Sequence, residues 1–123
     1  MVEDRITDGR RIAQLLASEI EGRADGGLDR LAVVDADRNA DPSAGGTLAY
    51  RVERDGTTLA AVYVHPDGAR ITVETDPAIA AAVGRETGLE ARPDDGRTHL
   101  LVESGAASKR GADALSALAR RTD

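Results

Sequence analysis

The chain has 123 residues, a formal net charge of −6, fifteen arginines against the single lysine Lys109, and no Cys, Trp or Phe. That length suits one domain with one core, and the missing cysteines exclude disulfides, thiolate nucleophiles and Cys-ligated zinc or iron–sulfur centres. No apolar run approaches the roughly 20 residues that span a bilayer, and the acidic balance argues against a primary nucleic-acid or anionic-membrane surface.

Ile6, Ile12, Leu15, Leu16 and Ile20 recur at helical spacing and predict a first helix, firmest over residues 10–21. Thr7 or Asp8 is placed to cap it, and Gly22 or the Gly26-Gly27 pair to end it. Leu28 to Asp35 reads as a strand, with a short helix as the alternative. Residues 35–46 collect turn formers without periodicity and read as a mobile polar loop.

Two apolar-rich runs follow, 47–54 and 57–64, joined by Asp55-Gly56, the pair that favours a type I′ hairpin. An unbroken ladder from that turn places Val52 opposite Leu59, Tyr50 opposite Ala61 and Leu48 opposite Tyr63. The next turn, His65-Pro66-Asp67-Gly68-Ala69, suits a type I turn closed by a left-handed glycine. It puts Tyr63 opposite Ile71 and Ala61 opposite Val73. On this register Leu48, Tyr50, Val52, Leu59, Ala61, Tyr63, Ile71 and Val73 share the inner face. Ala49, Arg51, Glu53, Ala60, Val62, Val64, Arg70, Thr72 and Glu74 share the outer one.

Asp76-Pro77 starts a second helix with a capping carboxylate and a proline at its first position. Gly88 and Leu89 supply its stop. Residues 89–92, a Pro93-Asp94-Asp95-Gly96 turn, and residues 98–103 read as strand, turn and strand. A last helix runs from Ser104 to about Arg121, its cationic end matched to the helix dipole. The order is α-β-β-β-β-α-β-β-α over a single α+β domain, residues 1–123. The expected architecture is a two-layer sandwich, an antiparallel meander sheet with three helices on one face.

Candidate chemistry is sparse. His65 and His99 are the only imidazoles, and no His-x-x-x-His or Glu-x-x-His spacing supports a metal site. Asp35-x-Asp37-x-Asn39 resembles the first half of an EF-hand loop but has Ala40 where glycine belongs and Gly46 at the twelfth position, so it reads as a hydrated loop. Gly26-Gly27 and Gly45-Gly46 make no phosphate loop. Ser104 and Ser108 lack a nucleophile elbow and read as capping residues. No catalytic, cofactor or metal residue is assigned. Lys109-Arg110 and Arg120-Arg121 give the last helix basic ends without interleaved aromatics.

Two features remain. Tyr50 and Tyr63, on one inner face, either fill the widest part of the core or line a small-molecule pocket. Ala60, Val62 and Val64, flanked by Arg51 and Arg70, form an apolar strip on the outer face, either solvated or a docking surface for a second copy or another protein.

The lysine-poor, arginine-rich, acidic composition resembles that of short uncharacterised proteins of halophilic archaea, in which carboxylates hold water at high salt. A GC-rich coding bias also exchanges lysine for arginine. The order of elements is similar to that of small secretion-chaperone-like α+β dimers, with an extra strand here. The resemblance implies a cytoplasmic protein and carries no catalytic residues with it. The leading expectation is a non-enzymatic interaction or adaptor module that binds a protein partner or itself as a homodimer. A small-molecule-binding protein or enzyme using the Tyr50/Tyr63 side is the alternative, and a nucleic-acid-associated regulator the third reading.

Overall fold

In the computed structural model, which describes residues 8–25, 30–74 and 76–121, the elements follow the expected order. They are α1 (Gly9–Asp25), β1 (Leu31–Val34), β2 (Thr47–Arg54), β3 (Thr57–His65), β4 (Gly68–Val73), α2 (Pro77–Thr87), β5 (Glu90–Asp94), β6 (Arg97–Val102) and α3 (Ala107–Arg121). The Ile6 contact, the Gly26-Gly27 stop and the Leu28 start of the first strand lie outside the described residues. Every strand pair is antiparallel, and the six-stranded sheet is ordered β1-β2-β3-β4-β6-β5.

Local chemistry explains the element ends. Asp8 Oδ1 accepts from the backbone N–H of Arg10 at 2.9 Å and caps α1. Asp76 Oδ1 accepts from Ile79 N–H at 3.2 Å, Pro77 opens α2, and Gly88 closes it in the left-handed region at φ 79°. Ser104 Oγ accepts from Ala107 N–H at 3.1 Å at the start of α3. Asp55 and Gly56 both take positive φ, as a type I′ hairpin requires, and Asp95 and Gly96 do the same between β5 and β6. That second turn is tighter than the expected four-residue one. Pro93 therefore lies inside the edge strand β5, where a missing N–H is tolerated.

The meander forms, but its register differs from the unbroken ladder. Arg54 faces Thr57 and Leu48 faces Tyr63 as expected, whereas Val52 faces Ala60 and Tyr50 faces Val62. Irregularities between Val52 and Glu53 and between Leu48 and Tyr50 account for this. The first adds a residue to β3 and buries Leu59 and Ala60 together; the second adds one to β2 and buries Ala49 and Tyr50 together. A bulge of this kind turns two neighbours toward one face, and here the two cancel at the hairpin's far end. Across the next turn His65 faces Gly68 and Val62 faces Ile71, one residue tighter than expected, with Gly68 opening β4.

The consequence for the strip is direct. Ala60, Val62 and Val64 are 3%, 0% and 1% exposed and belong to the core, not to the outer face. Arg51 and Arg70 do lie on the outer face. Tyr50 stays in the core at 4% exposure, while Tyr63 moves outward, so the tyrosines occupy opposite sides of the sheet.

The core-facing side carries Val52, Ala60, Val62, Ile71, Leu100 and Val102 across the central strands. All three helices pack there. Ile12, Leu16 and Ile20 of α1, Val83 of α2, and Leu115 and Leu118 of α3 are fully buried. Glycines permit the close approaches. A Cβ at Gly111 would lie 3.1–3.4 Å from Leu16, Val102 and Ile71, and one at Gly9 would lie 1.8 Å from the His65 carbonyl oxygen. The segment 35–46, expected to be mobile, is held at several points. Asp37 N–H donates to Ala49 O at 2.7 Å, Ser43 N–H to Val64 O at 3.4 Å, and Arg10 Nε to Ala40 O at 3.2 Å.

Candidate functional site

The sheet face opposite the helices is built by register. Val34, Arg51, Ala61, Thr72, His99 and Arg92 form one row across the strands. Leu48, Tyr63, Arg70, Leu101 and Glu90 form the next. Leu48, Tyr63 and Leu101 are half-buried here, and among the described residues no helix lies over them. Leu48 and Tyr63, missed because the bulges invert the parity of β2 and β3, and Leu101 of β6, to which the sequence assigns no face, take the place of the expected Ala60–Val62–Val64 strip.

Arg70 stands at the centre of this face. Its guanidinium lies 4.5 Å from the Tyr63 ring centroid, a cation–π contact. Its Nε is buried without a hydrogen-bond partner. Gly46, at φ 91°, lets the loop backbone come close: a Cβ there would lie 3.1 Å from both Arg70 Nη2 and His65 Nε2. His65 Nδ1 sits 3.0 Å from Ala44 O, which makes that nitrogen the donor. Arg10, Arg23, Arg30, Arg51, Arg92 and Arg121 all pair with carboxylates, whereas Arg70 makes no ion pair among the described residues.

Beside it runs a polar chain. Thr72 Oγ1 lies 3.0 Å from His99 Nδ1, and His99 Nε2 lies 3.0 Å from Asp94 Oδ2. A carboxylate can only accept, so in the neutral ring Nε2–H donates to Asp94 and Nδ1 accepts from the Thr72 hydroxyl. The His99 hydrogen bond, with the charges of His99, Arg97 and Arg70, holds the Asp94 carboxyl below its usual range. The order of groups resembles a hydroxyl–imidazole–carboxylate relay. Thr72 is only 5% exposed, however, so its hydroxyl ties β4 to β6 instead of meeting a substrate. The His99 side chain is 16% exposed, and its carboxylate partner is Asp94.

On the other side of the sheet, Tyr50 contributes to the floor of a groove of about 390 Å³ between α1 and the 33–40 segment. Ala13, Ala17, Ala49 and Val64 supply more of its apolar lining, and Arg11, Arg38, Asp37 and Glu21 its charged groups. The Tyr50 hydroxyl donates to Ala13 O at 2.7 Å. Tyr63 does not reach this groove, so the two tyrosines form no common pocket.

The remaining candidates resolve into local structure. Asp35 pairs with Arg51 at 3.3 Å, and Asp37 Oδ1 accepts from Asn39 N–H at 3.0 Å. Ser108 Oγ donates to Gly105 O at 2.6 Å. Arg121 grips Glu86 through two bonds, which holds the Glu86 carboxyl below its usual range. Among the described residues no three His, Asp or Glu side chains gather to hold a metal, and no helix is long and apolar enough to cross a membrane.

No curated protein and no solved structure matches the chain. A family model described as a family of unknown function (DUF7993) matches residues 1–123, and the chain belongs to that family.

Proposed function

We propose that this chain is a non-enzymatic protein-interaction module that pairs with a second copy of itself in the cytoplasm of a salt-adapted cell, through the helix-free face of its sheet. The observation that carries this reading is the cluster of Leu48, Tyr63 and Leu101 around Arg70, whose Nε is buried without a hydrogen-bond partner among the described residues. Tyrosine and arginine dominate the binding energy of protein interfaces, and an uncovered apolar cluster with a polar rim is the usual form of a docking patch. The Thr72–His99–Asp94 chain supports a structural over a catalytic use of the face, because its hydroxyl is covered. One lysine against fifteen arginines at net charge −6 supports the salt-adapted setting.

Light scattering in about 2–3 M KCl, where exposed charges are screened, tests the reading. A mass twice that of one chain is expected, reduced to one chain by Leu48→Glu with the circular dichroism unchanged. A wild-type monomer at every concentration would overturn it. Val62→Glu is no test of docking, since Val62 is core and its loss unfolds the chain.

The groove under α1 favours a second reading, a small-molecule site. Its apolar floor and rim of both charge signs match an apolar zwitterion. Titration with L-phenylalanine should then move the amide resonances of Ala13, Ala17 and Val33; resonances unmoved at saturating ligand dismiss it.

A further inference from the structure

We infer that the two copies meet about a two-fold axis through Ala61, so that Arg70 of each copy seats against Glu53 of the other. This rests on the docking reading above and specifies its geometry.

Arg70 on β4 and Glu53 on β2 carry opposite charges on this face, and neither makes an ion pair among the described residues; Arg97 at the start of β6 makes none either. Glu53 shares the outer face because it follows Arg51 by two residues and its neighbour Val52 is buried. Arg51, Ala61 and Thr72 are paired in one row across β2, β3 and β4. Glu53 lies two residues past Arg51 on one side of that row, and Arg70 two residues from Thr72 on the other. Strand spacing separates them by about 10 Å across the sheet and about 13 Å along it. They are too far apart to pair within one chain, and Ala61 lies midway between them.

A two-fold axis in the plane of the face, crossing that diagonal at Ala61, exchanges their positions in the opposing copy. Both pairs then form at once, as an isologous contact requires. The smallest side chain of the row sits on the axis and lets the sheets close. On the same lattice of strand spacings Tyr63 falls beside Arg51 of the second copy, and Leu48 opposite Val34. The half-buried Arg70 cation, which in one copy acts on the Asp94 carboxylate only from beyond contact distance, gains a direct carboxylate partner in two. Enclosed between the sheets, that pair is screened by salt far less than an exposed one.

Charge reversal tests the register. Arg70→Glu alone sets two carboxylates against each other at each contact, and Glu53→Arg alone sets two guanidinium groups together. Each variant should self-associate more weakly by on the order of tenfold to a hundredfold. An equimolar mixture of the two variants should regain the dimer, because both contacts are again of opposite sign. If the wild type dimerises and the reversals leave its mass unchanged, this register is wrong and the docking reading stands. If the wild type is monomeric, both fall. Should either reversal fail to fold by circular dichroism, Ala61→Cys decides, since the chain has no other cysteine. A short bis-maleimide should join the two copies across sheets stacked about 10 Å apart, and no cross-linked dimer would overturn the axis.

Discussion

Tyr50 shows how much one side chain carries in a core otherwise made of aliphatic residues. Its ring is buried, its hydroxyl is satisfied by Ala13 O, and it is the one aromatic on the helix side of the sheet. Burial, reinforced by the negative charge of Glu21, holds its phenol above the ordinary range. A raised folded pKa means the proton leaves far more easily once the chain unfolds. The contribution to stability is therefore whole below about pH 10 and is lost as pH rises beyond it. Tyr50→Phe keeps the ring and removes the hydroxyl, so it should cost about 1 kcal/mol at pH 7 in urea melts. The same variant should unfold at higher pH than the wild type when alkaline titration is followed by circular dichroism. An unchanged alkaline midpoint would remove Tyr50 from that transition.

Among the elements, α1 and the β3–β4 turn are locked together at a point no larger than a hydrogen atom. Gly9 N–H donates to Pro66 O at 3.4 Å, and no Cβ fits between Gly9 and the His65 carbonyl. Alanine at the start of a helix ordinarily gains up to about 1 kcal/mol over glycine. Here the clash is with backbone, which yields little, and Gly9→Ala should lose about 2 kcal/mol net, read from the shift in urea midpoint. Element ends of this kind were legible in the residues that make them. Asp55-Gly56 and Gly88 specify their turn and cap through their own backbone preferences and behave accordingly, while Asp76 caps α2 through its side chain at a φ of 25°, outside the extended region a residue before proline prefers. The faces of β2 and β3 were not legible. Residues 59–64 are Leu-Ala-Ala-Val-Tyr-Val, apolar at every position, so alternation gives no sign of which side is buried. Only packing against the helices decides it, and packing chose the two bulges. The docking face was hidden for the same reason: Tyr63 and Leu48 looked like core while Val62 and Val64 looked like surface.

For the molecule as a whole, acidic groups are spread over a thin two-layer body whose core is built from small side chains. Val, Leu, Ile and Ala each bury little area, so stability is the sum of many modest contributions opposed by carboxylate repulsion. Screening shortens the reach of that repulsion to about 3 Å at 1 M salt, against about 10 Å at 0.1 M. Thermal melts followed from about 3 M KCl down to 0.1 M should show a steadily falling midpoint. A midpoint indifferent to salt would leave coding bias as the better account of the arginine-rich composition.

The paired insertions in the first hairpin constrain how this family can vary in length. Ala49 and Leu59 each stand outside the ladder, so losing either one would straighten the ribbon and leave the flanking pairs on their present sides. A one-residue insertion or deletion elsewhere in β2 or β3 would instead hand the rest of that strand to the opposite side. Relatives should therefore differ in length within this hairpin at these two positions, if anywhere.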